Sequence, residues 1–239
     1  MKTETPQAIH LKDYTPPAYW IDTVDLDISI ETGGAVVRST LAMRRNPALA
    51  AQPLVLDGEA LETLAVAVDG REVPFSAEAE RLTVAGLPDA FTLSTTVRID
   101  PDRNTRLSGL YRSKDGYFTQ CEAQGFRRIT WFLDRPDVMS TYTVTLHADR
   151  EKFPVLLANG NPVASGEEAD GRHWAKWADP FRKPAYLFAV VAGRLDVLRD
   201  TFRTASGRDV QLAIYVEPGK LDQCPHAMDA LKKSMRWDE

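Results

Sequence analysis

Strict alternation of apolar and polar residues is the feature that most constrains the fold of this chain. It runs through residues 24–31 and returns at residues 141–147, and a period of two is typical of strands with one buried and one exposed face. Gly33-Gly34 follows the first alternating segment, and the turn pairs Asp57-Gly58 and Asp69-Gly70 come after later ones. This density of turn signals predicts an antiparallel sheet protein, with its first hairpin around Gly33-Gly34.

The last segment of the chain departs from this pattern and is predicted to be helical. Pro225 fits a first helical turn, and Asp222 is a candidate cap for it. Two interpretations of the apolar stripe stay open: it packs on the domain, or it is meant to be covered by sequence that is absent here. The stripe consists of residues three and four positions apart, which share one helical face: Leu221, Cys224, Met228, Leu231 and Met235.

Gly193 is the predicted domain boundary. Before it, the apolar run at residues 186–192 indicates a fully buried strand. After it, short apolar segments and the helix look like the opening of a second, mixed unit. We therefore expect a mainly β protein, with a mostly antiparallel β-sheet domain over residues 1–193 and the first strands and helix of an α/β domain over residues 194–239.

Charge and composition argue against several partners. The chain has 29 Lys+Arg and 34 Asp+Glu, a net charge of −5, whereas a nucleic-acid partner usually needs a basic face. No apolar run approaches the ~20 residues of a membrane-spanning helix. The N-terminus lacks the apolar segment of a signal peptide, so we expect a cytoplasmic protein without membrane contact.

Familiar catalytic motifs are missing from the sequence. A zinc-protease helix needs His-Glu-x-x-His, because imidazoles at positions i and i+4 reach one metal ion. None of the four histidines is followed by Glu, and no two lie within one helical turn. A P-loop and a Gly-x-Ser-x-Gly elbow are also absent. The residues alone therefore predict neither a catalytic group nor a metal ligand set in this chain.

One segment, residues 109–137, concentrates polar groups among aromatic residues. Gln120 and Glu122 are two positions apart, so on a strand their side chains would point the same way and could hold an ammonium group beside a carbonyl. The alternative is an edge strand with solvated polar residues. Arg127 and Arg128, near Asp134 and Asp137, more often form structural ion pairs than substrate contacts. Cys121, beside an acidic residue, is not expected to be a reactive thiolate.

The motifs of this segment occur in a familiar order: Gly109-Leu-Tyr-x-Ser, Gln120-x-Glu122, Arg127-Arg128 and Asp134-x-Pro136. They resemble the N-terminal domain of zinc aminopeptidases of the aminopeptidase N type, most closely the bacterial alanyl aminopeptidase branch. Segments in agreement cover almost the whole chain. Thr130-Trp-Phe-Leu133 stands where the family commonly has Phe-Pro-Cys-Phe, a departure that the bacterial branch tolerates.

The resemblance implies a specific arrangement of domains and specific roles for two residues. A saddle-shaped, mostly antiparallel β domain would precede a thermolysin-like zinc domain, of which this chain would hold only the first strands and helix. Glu122 would bind the substrate α-ammonium, and Gln120 would line the pocket for the first side chain. The zinc and its ligands would belong to the full-length enzyme, so this chain alone would be inactive and would bind no cofactor. Its partners would be peptides with a free N-terminus and the rest of the same polypeptide.

Two rival functions stay open at this point. One is a non-enzymatic, β-sandwich-like module that binds a protein or a glycan through residues 109–137. The other is a close family relative with epoxide-hydrolysing or other side chemistry, since such differences would lie in the zinc domain.

Overall fold

The structure, a computed structural model, describes residues 10–78 and 80–239. Short 3-10 turns and one α-helix accompany the strands, and the helix, α1, spans Pro225–Asp238. The strands are β1 (Tyr19–Glu31), β2 (Gly34–Arg45), β3 (Leu54–Asp57), β4 (Glu62–Val68), β5 (Arg71–Glu72), β6 (Ser76–Glu78), β7 (Arg81–Val84), β8 (Ala90–Ile99), β9 (Gly109–Ser113), β10 (Gly116–Gln120), β11 (Met139–Asp149), β12 (Val155–Ala158), β13 (Asn161–Glu167), β14 (Arg172–Pro184), β15 (Val190–Gly193), β16 (Asp196–Arg203) and β17 (Asp209–Val216).

An eight-stranded sheet forms the body of the molecule, in the order β13-β14-β11-β1-β2-β8-β4-β5. Neighbouring strands in it are antiparallel, except that β1 and β11 run parallel, with Leu26 opposite Val144. The apolar residues of the alternating patterns in β1 and β11 face the core, where Leu26, Ile28 and Leu146 are fully buried. The first hairpin turns at Thr32-Gly33, because Gly34 already belongs to β2.

Smaller sheets pack around this body. A four-stranded sheet has the order β12-β15-β10-β9, and a three-stranded one has the order β3-β7-β6. Between the sheets lies a cluster of aromatic residues in which Phe126 and Phe132 are fully buried. The predicted fold class, mainly β and mostly antiparallel with the first strands and helix of a following unit, is confirmed.

The segment after Gly193 has an apolar cluster of its own. Strands β16 and β17 pair only with each other among the described residues, and Phe202, Leu212 and Met228 form the buried centre of this second cluster. Helix α1 thus packs on β16 and β17 through Met228, whereas Leu231 on the same stripe is 38% exposed. Part of the stripe is covered within this chain and part is not.

Two local predictions were wrong. Residues 186–192 are not one strand: a 3-10 turn ends at Leu187, and β15 begins only at Val190. The side chain of Asn159 holds the intervening bend, since it donates to the Leu187 carbonyl and accepts from the Ala189 amide. Asp222 does not cap α1 either, because it lies in a preceding 3-10 turn. Within the described residues, no helix combines the length and apolarity needed to cross a bilayer.

Candidate functional site

The candidate site lies on the turn that follows β10. The strand ends at Gln120, and the chain then bends through Glu122 to a 3-10 turn at Phe126–Arg128. The expectation that Gln120 and Glu122 share one strand is therefore wrong. The two residues are held together instead by the turn itself, in which the Gln120 side-chain amide donates to the Glu122 carbonyl oxygen at 3.4 Å.

Both predicted site residues are accessible. Gln120 and Glu122 are exposed, while Cys121 between them is buried. Among the residues that the structure describes, none forms an ion pair with the Glu122 carboxylate. The turn therefore presents a carboxylate at the surface that is paired with no cation of residues 10–78 and 80–239.

A lack of space at Gly125 shows how tightly this turn packs against the strand end. A Cβ atom at residue 125 would lie 2.4 Å from the Gln120 carbonyl oxygen and 2.8 Å from the Ser108 hydroxyl. Such contacts exclude any side chain there. The Gly125 amide also donates to the Cys121 carbonyl at 2.7 Å, so the backbone returns directly onto the end of β10.

Phe126 fixes the turn to the aromatic cluster below it. Its ring is fully buried and lies 4.7 Å from the ring of Phe132 and 5.0 Å from that of Phe188, at steep angles to both. Edge-to-face arrangements of this kind are favourable beyond their buried area. The exposed site residues are thus attached to one of the most densely packed parts of the core.

The two arginines after the turn anchor it to different segments. Arg127 donates to Asp134 from its backbone amide and from Nε, each at 3.1 Å. Arg128 pairs with Glu59 and donates through Nε to the Ser108 carbonyl at 3.1 Å. The predicted structural ion pairing is confirmed for Arg127 with Asp134.

Asp137 and Arg128 do not take the predicted partners. Asp137 pairs with Arg135 at 2.7 Å and accepts a hydrogen bond from Tyr14. The sequence reasoning also missed Glu59, which pairs with Arg128 and with Arg106. Glu59 follows a turn pair more than sixty residues earlier in the chain, and no local pattern marks it as a partner.

Burial controls the titration of the groups beneath the turn. Loss of solvation, aided by the nearby Asp134 charge, raises the pKa of Cys121 to about 12, so this thiol stays protonated at neutral pH, as predicted. Burial also raises the pKa of Asp134, although the hydrogen bonds from Arg127 oppose that change.

A second charged cluster lies away from the turn and was not predicted. The ring nitrogens of His147 on β11 lie 3.0 Å from Asp27 and 2.6 Å from Glu168. The hydrogen bond that the His147 ring makes to the Asp27 carboxylate raises the pKa of His147, with Glu168 adding to the effect and burial opposing it. Three separate segments supply these side chains, so sequence spacing gave no signal of the cluster.

The described residues do not supply a metal centre. Nowhere within residues 10–78 and 80–239 do three or more His, Cys, Asp or Glu side chains come together in an arrangement that could hold a metal ion. The His147 cluster does not qualify, because both ring nitrogens already face carboxylates. The exposed Glu122 carboxylate is a group of the candidate site that could accept hydrogen bonds from a cationic ligand.

A cavity of about 570 Å³ lies at the opposite end of β10. Gly116, Phe118, Phe153 and Leu195 are among its lining residues, so residues on both sides of Gly193 line it. Neither Gln120 nor Glu122 lines it. The candidate site is thus a surface turn outside this cavity.

Comparison with known proteins gives consistent matches. Residues 19–187 match the family model of the peptidase M1 N-terminal domain. Aminopeptidase N of Caulobacter vibrioides is 51% identical over 242 residues, which cover 100% of this chain and 28% of that protein. The chain therefore spans little more than a quarter of the length of this relative.

Solved structures agree with the sequence matches. Legionella pneumophila aminopeptidase A, in complex with aspartic acid, superposes with a TM-score of 0.90 at 32% identity, over 96% of this chain and 28% of that one. An M1 zinc metallopeptidase of Deinococcus radiodurans, bound to a Tyr-Ser-Ala substrate, has a TM-score of 0.70 at 18% identity, over 84% of this chain and 48% of that one. The second likeness concerns the fold alone.

Proposed function

Since this chain belongs to the peptidase M1 family, whose N-terminal domain it contains, we propose that it recognises the free N-terminus of peptides within a zinc-dependent aminopeptidase. In this role Glu122 accepts the substrate α-ammonium. Gln120, beside it at the end of β10, lines the space for the first side chain. The observation that carries the proposal is an exposed carboxylate, fixed on a rigid turn, with no ion-pair partner among the described residues.

Physical chemistry favours a carboxylate for this task. An ammonium group that leaves water must be paired, and hydrogen bonds between charged groups are the strong ones. Capturing the amine also fixes the distance from the N-terminus to the first peptide bond, which places that bond for reaction. An acid committed to a cation of its own chain could not do this, and Glu122 has no such partner among the described residues.

An exposed carboxylate alone binds an ammonium only weakly, because solvent screens the pair. We therefore propose that a second surface of the same polypeptide covers Glu122 and desolvates it. Support comes from the position of Glu122 on an open turn and from the length of the relatives, of which this chain spans little more than a quarter. By this proposal the β domain comprises residues 1–193, residues 194–239 begin the zinc domain, and the protein is cytoplasmic.

Zinc belongs to the complete enzyme in this proposal. A structural neighbour is an M1 zinc metallopeptidase, whereas no cluster suitable for a metal ion occurs among the described residues. The roles that we propose for this chain are accordingly confined to binding and orientation, and the chain alone is expected to be inactive.

Replacement of Glu122 tests the proposed role. In the complete peptidase, Glu122→Gln keeps the shape of the side chain and removes its charge. We expect kcat/KM on an alanyl chromogenic amide to fall by at least about thirtyfold, since losing one partner of a buried charge pair costs ~2–5 kcal/mol. Most of the change is expected in KM, because the ammonium is bound in the ground state as well as in the transition state.

A matched control is available on β5, the edge strand of the eight-stranded sheet. Glu72 on β5 is also exposed, and Glu72→Gln should leave kcat/KM unchanged. If Glu122→Gln stayed within about threefold of the unmodified enzyme, less than ~0.7 kcal/mol, the assignment would be wrong.

A further inference from the structure

Asp134 is buried directly behind the candidate site. It is 2% exposed, so it cannot touch a substrate bound at the surface. One of its oxygens, Oδ2, accepts both the backbone amide and Nε of Arg127, each at 3.1 Å. Its backbone carbonyl accepts a third hydrogen bond from Arg127, at 3.1 Å. A single acidic residue thus restrains both the backbone and the guanidinium of Arg127.

Backbone hydrogen bonds link Cys121, Gly125 and Arg128 into one unit, and Glu122 and Arg127 lie in the chain between these residues. The Gly125 amide donates to the Cys121 carbonyl, and the Arg128 amide donates to the Gly125 carbonyl at 3.1 Å. Gly125 itself has no space to shift toward the strand, since a Cβ there would lie 2.4 Å from the Gln120 carbonyl oxygen. Because close-packed segments move together, a displacement of Arg127 is passed to the backbone of Glu122.

Arg128 and Arg127 restrain this unit through different contacts. Arg128 binds Glu59 and the Ser108 carbonyl, which ties the 3-10 turn to the end of the loop before β9. Arg127 joins the unit to Asp134. It also contacts the segment that holds Arg128, since its guanidinium lies 3.6 Å from Asp57 and its carbonyl accepts from the Glu59 amide at 2.9 Å. These contacts together define the orientation of the turn.

We propose that Asp134, acting through Arg127, is a positioning residue that sets where the Glu122 carboxylate stands. The inference rests on the proposed binding of the substrate ammonium by Glu122. It adds a buried residue that lies twelve positions after Glu122 in the chain and that never meets the substrate. Neutralising Asp134 removes the buried counter-charge of Arg127 and leaves the more exposed Asp57 carboxylate, 3.6 Å from the guanidinium, as its ion-pair partner among the described residues. The restraint on Arg127 weakens, and the site turn moves with it.

The test is a double-mutant cycle in the complete peptidase, with KM and kcat measured on an alanyl chromogenic amide. The variants are Asp134→Asn, Glu122→Gln and the pair together. We expect Asp134→Asn to raise KM by about tenfold and to change kcat by less than about threefold, because it weakens ground-state and transition-state binding alike. In the Glu122→Gln background, the same Asp134→Asn change should alter KM by less than about twofold, since the group that it positions is already lost.

A general loss of structure would give a different result. Asp137→Asn is the matched control, because Asp137 pairs with Arg135 and not with the turn, and it should leave KM unchanged in both backgrounds. If the effects of Asp134→Asn and Glu122→Gln multiply fully, Asp134 serves stability alone and the inference is overturned. If Glu122→Gln has no effect while Asp134→Asn does, the proposed function of Glu122 fails, which is a separate outcome.

A second variant keeps the test decisive should Asp134→Asn not fold. Arg127→Lys preserves the charge opposite Asp134 but loses the planar fork that makes two hydrogen bonds to Asp134 at once. We expect Arg127→Lys to raise KM as Asp134→Asn does, and to have no further effect on KM in the Glu122→Gln background. A KM equal to that of the unmodified enzyme in a folded Arg127→Lys protein would overturn the inference.

Discussion

Replacing Phe126 by Ala should destabilise the fold more than most single substitutions in this chain. The ring of Phe126 is fully buried and stands at the base of the candidate site. Truncating a buried Phe to Ala costs about 3–5 kcal/mol, because apolar contact is lost and a cavity remains. Here the loss should be near the upper end, since three rings meet Phe126 at steep angles.

The distances give the reason for that magnitude. The Phe132 ring centroid lies 4.7 Å away at 67°, that of Phe188 5.0 Å away at 81°, and that of Tyr142 6.2 Å away at 83°. Each such pair contributes ~0.5–1.5 kcal/mol beyond its buried area. We therefore expect Phe126→Ala to lose about 4–5 kcal/mol of unfolding free energy and to lower Tm by roughly 10–20 °C.

Urea unfolding followed by tryptophan fluorescence and by circular dichroism measures this loss. Phe126→Leu keeps most of the volume but no ring, so it should lose only about 1–2 kcal/mol, and it carries the test if the Ala variant is too unstable. Phe181→Ala is the control, because that ring is 77% exposed, and it should change stability by less than ~0.5 kcal/mol. A loss below ~2 kcal/mol for Phe126→Ala would refute the role given to the aromatic cluster.

Two further predictions concern the His147 cluster and the chain in isolation. Because Asp27 and Glu168 raise the pKa of His147 in the folded state, its contribution is full below the unfolded pKa, near 6.5, and is lost as pH rises through the folded value. His147→Gln should therefore lower the free energy of unfolding, measured by urea titration, by about 0.5–1 kcal/mol at pH 5.5 for these partly exposed pairs. At pH 9 the loss should be much smaller. Equal losses at both pH values would contradict the assignment. The isolated chain, assayed with added zinc on an alanyl chromogenic amide, should show no turnover, and activity above background would refute its proposed dependence on the rest of the enzyme.

The strands were the most predictable part of the structure, for a physical reason. In a half-buried strand every second residue faces the core and is apolar, and β1 and β11 alternate in this way almost without interruption. Turn pairs such as Asp69-Gly70 then separate one strand from the next. The parallel pairing of β1 with β11 could not be inferred, since it joins strands more than a hundred residues apart and leaves no mark on either pattern.

Where prediction failed, side chains from distant segments decided the local structure. The run at residues 186–192 is apolar enough for one strand. The side-chain amide of Asn159, however, donates to the Leu187 carbonyl and accepts from the Ala189 amide, and so holds a bend there. Sequence spacing shows only the apolar run. The failure at Asp222 is local instead: a 3-10 turn at Leu221–Gln223 precedes α1, and no side chain caps the helix.

The candidate residues were found by resemblance, whereas their geometry required the structure. Gln120 and Glu122 are two positions apart, and that spacing suggested one strand face, yet the strand ends between them. What brings them together is a turn that Gly125 permits and that Arg127 and Arg128 hold from two sides. Ion-pair partners such as Glu59 come from far along the chain, so no local motif could reveal them.

In the proposed function, the packing around the turn separates two requirements of ammonium recognition. Geometry is supplied within the β domain, because the anchors of the turn are buried and do not depend on a ligand. The β domain does not supply strong binding, because an exposed carboxylate gains little binding free energy from a cation in water until its surroundings are desolvated. A domain built this way can fold with its carboxylate correctly oriented and still bind peptides weakly. Selective, tight binding of N-termini would then arise only when a second surface closes over Glu122, which couples recognition to the assembly of the complete site.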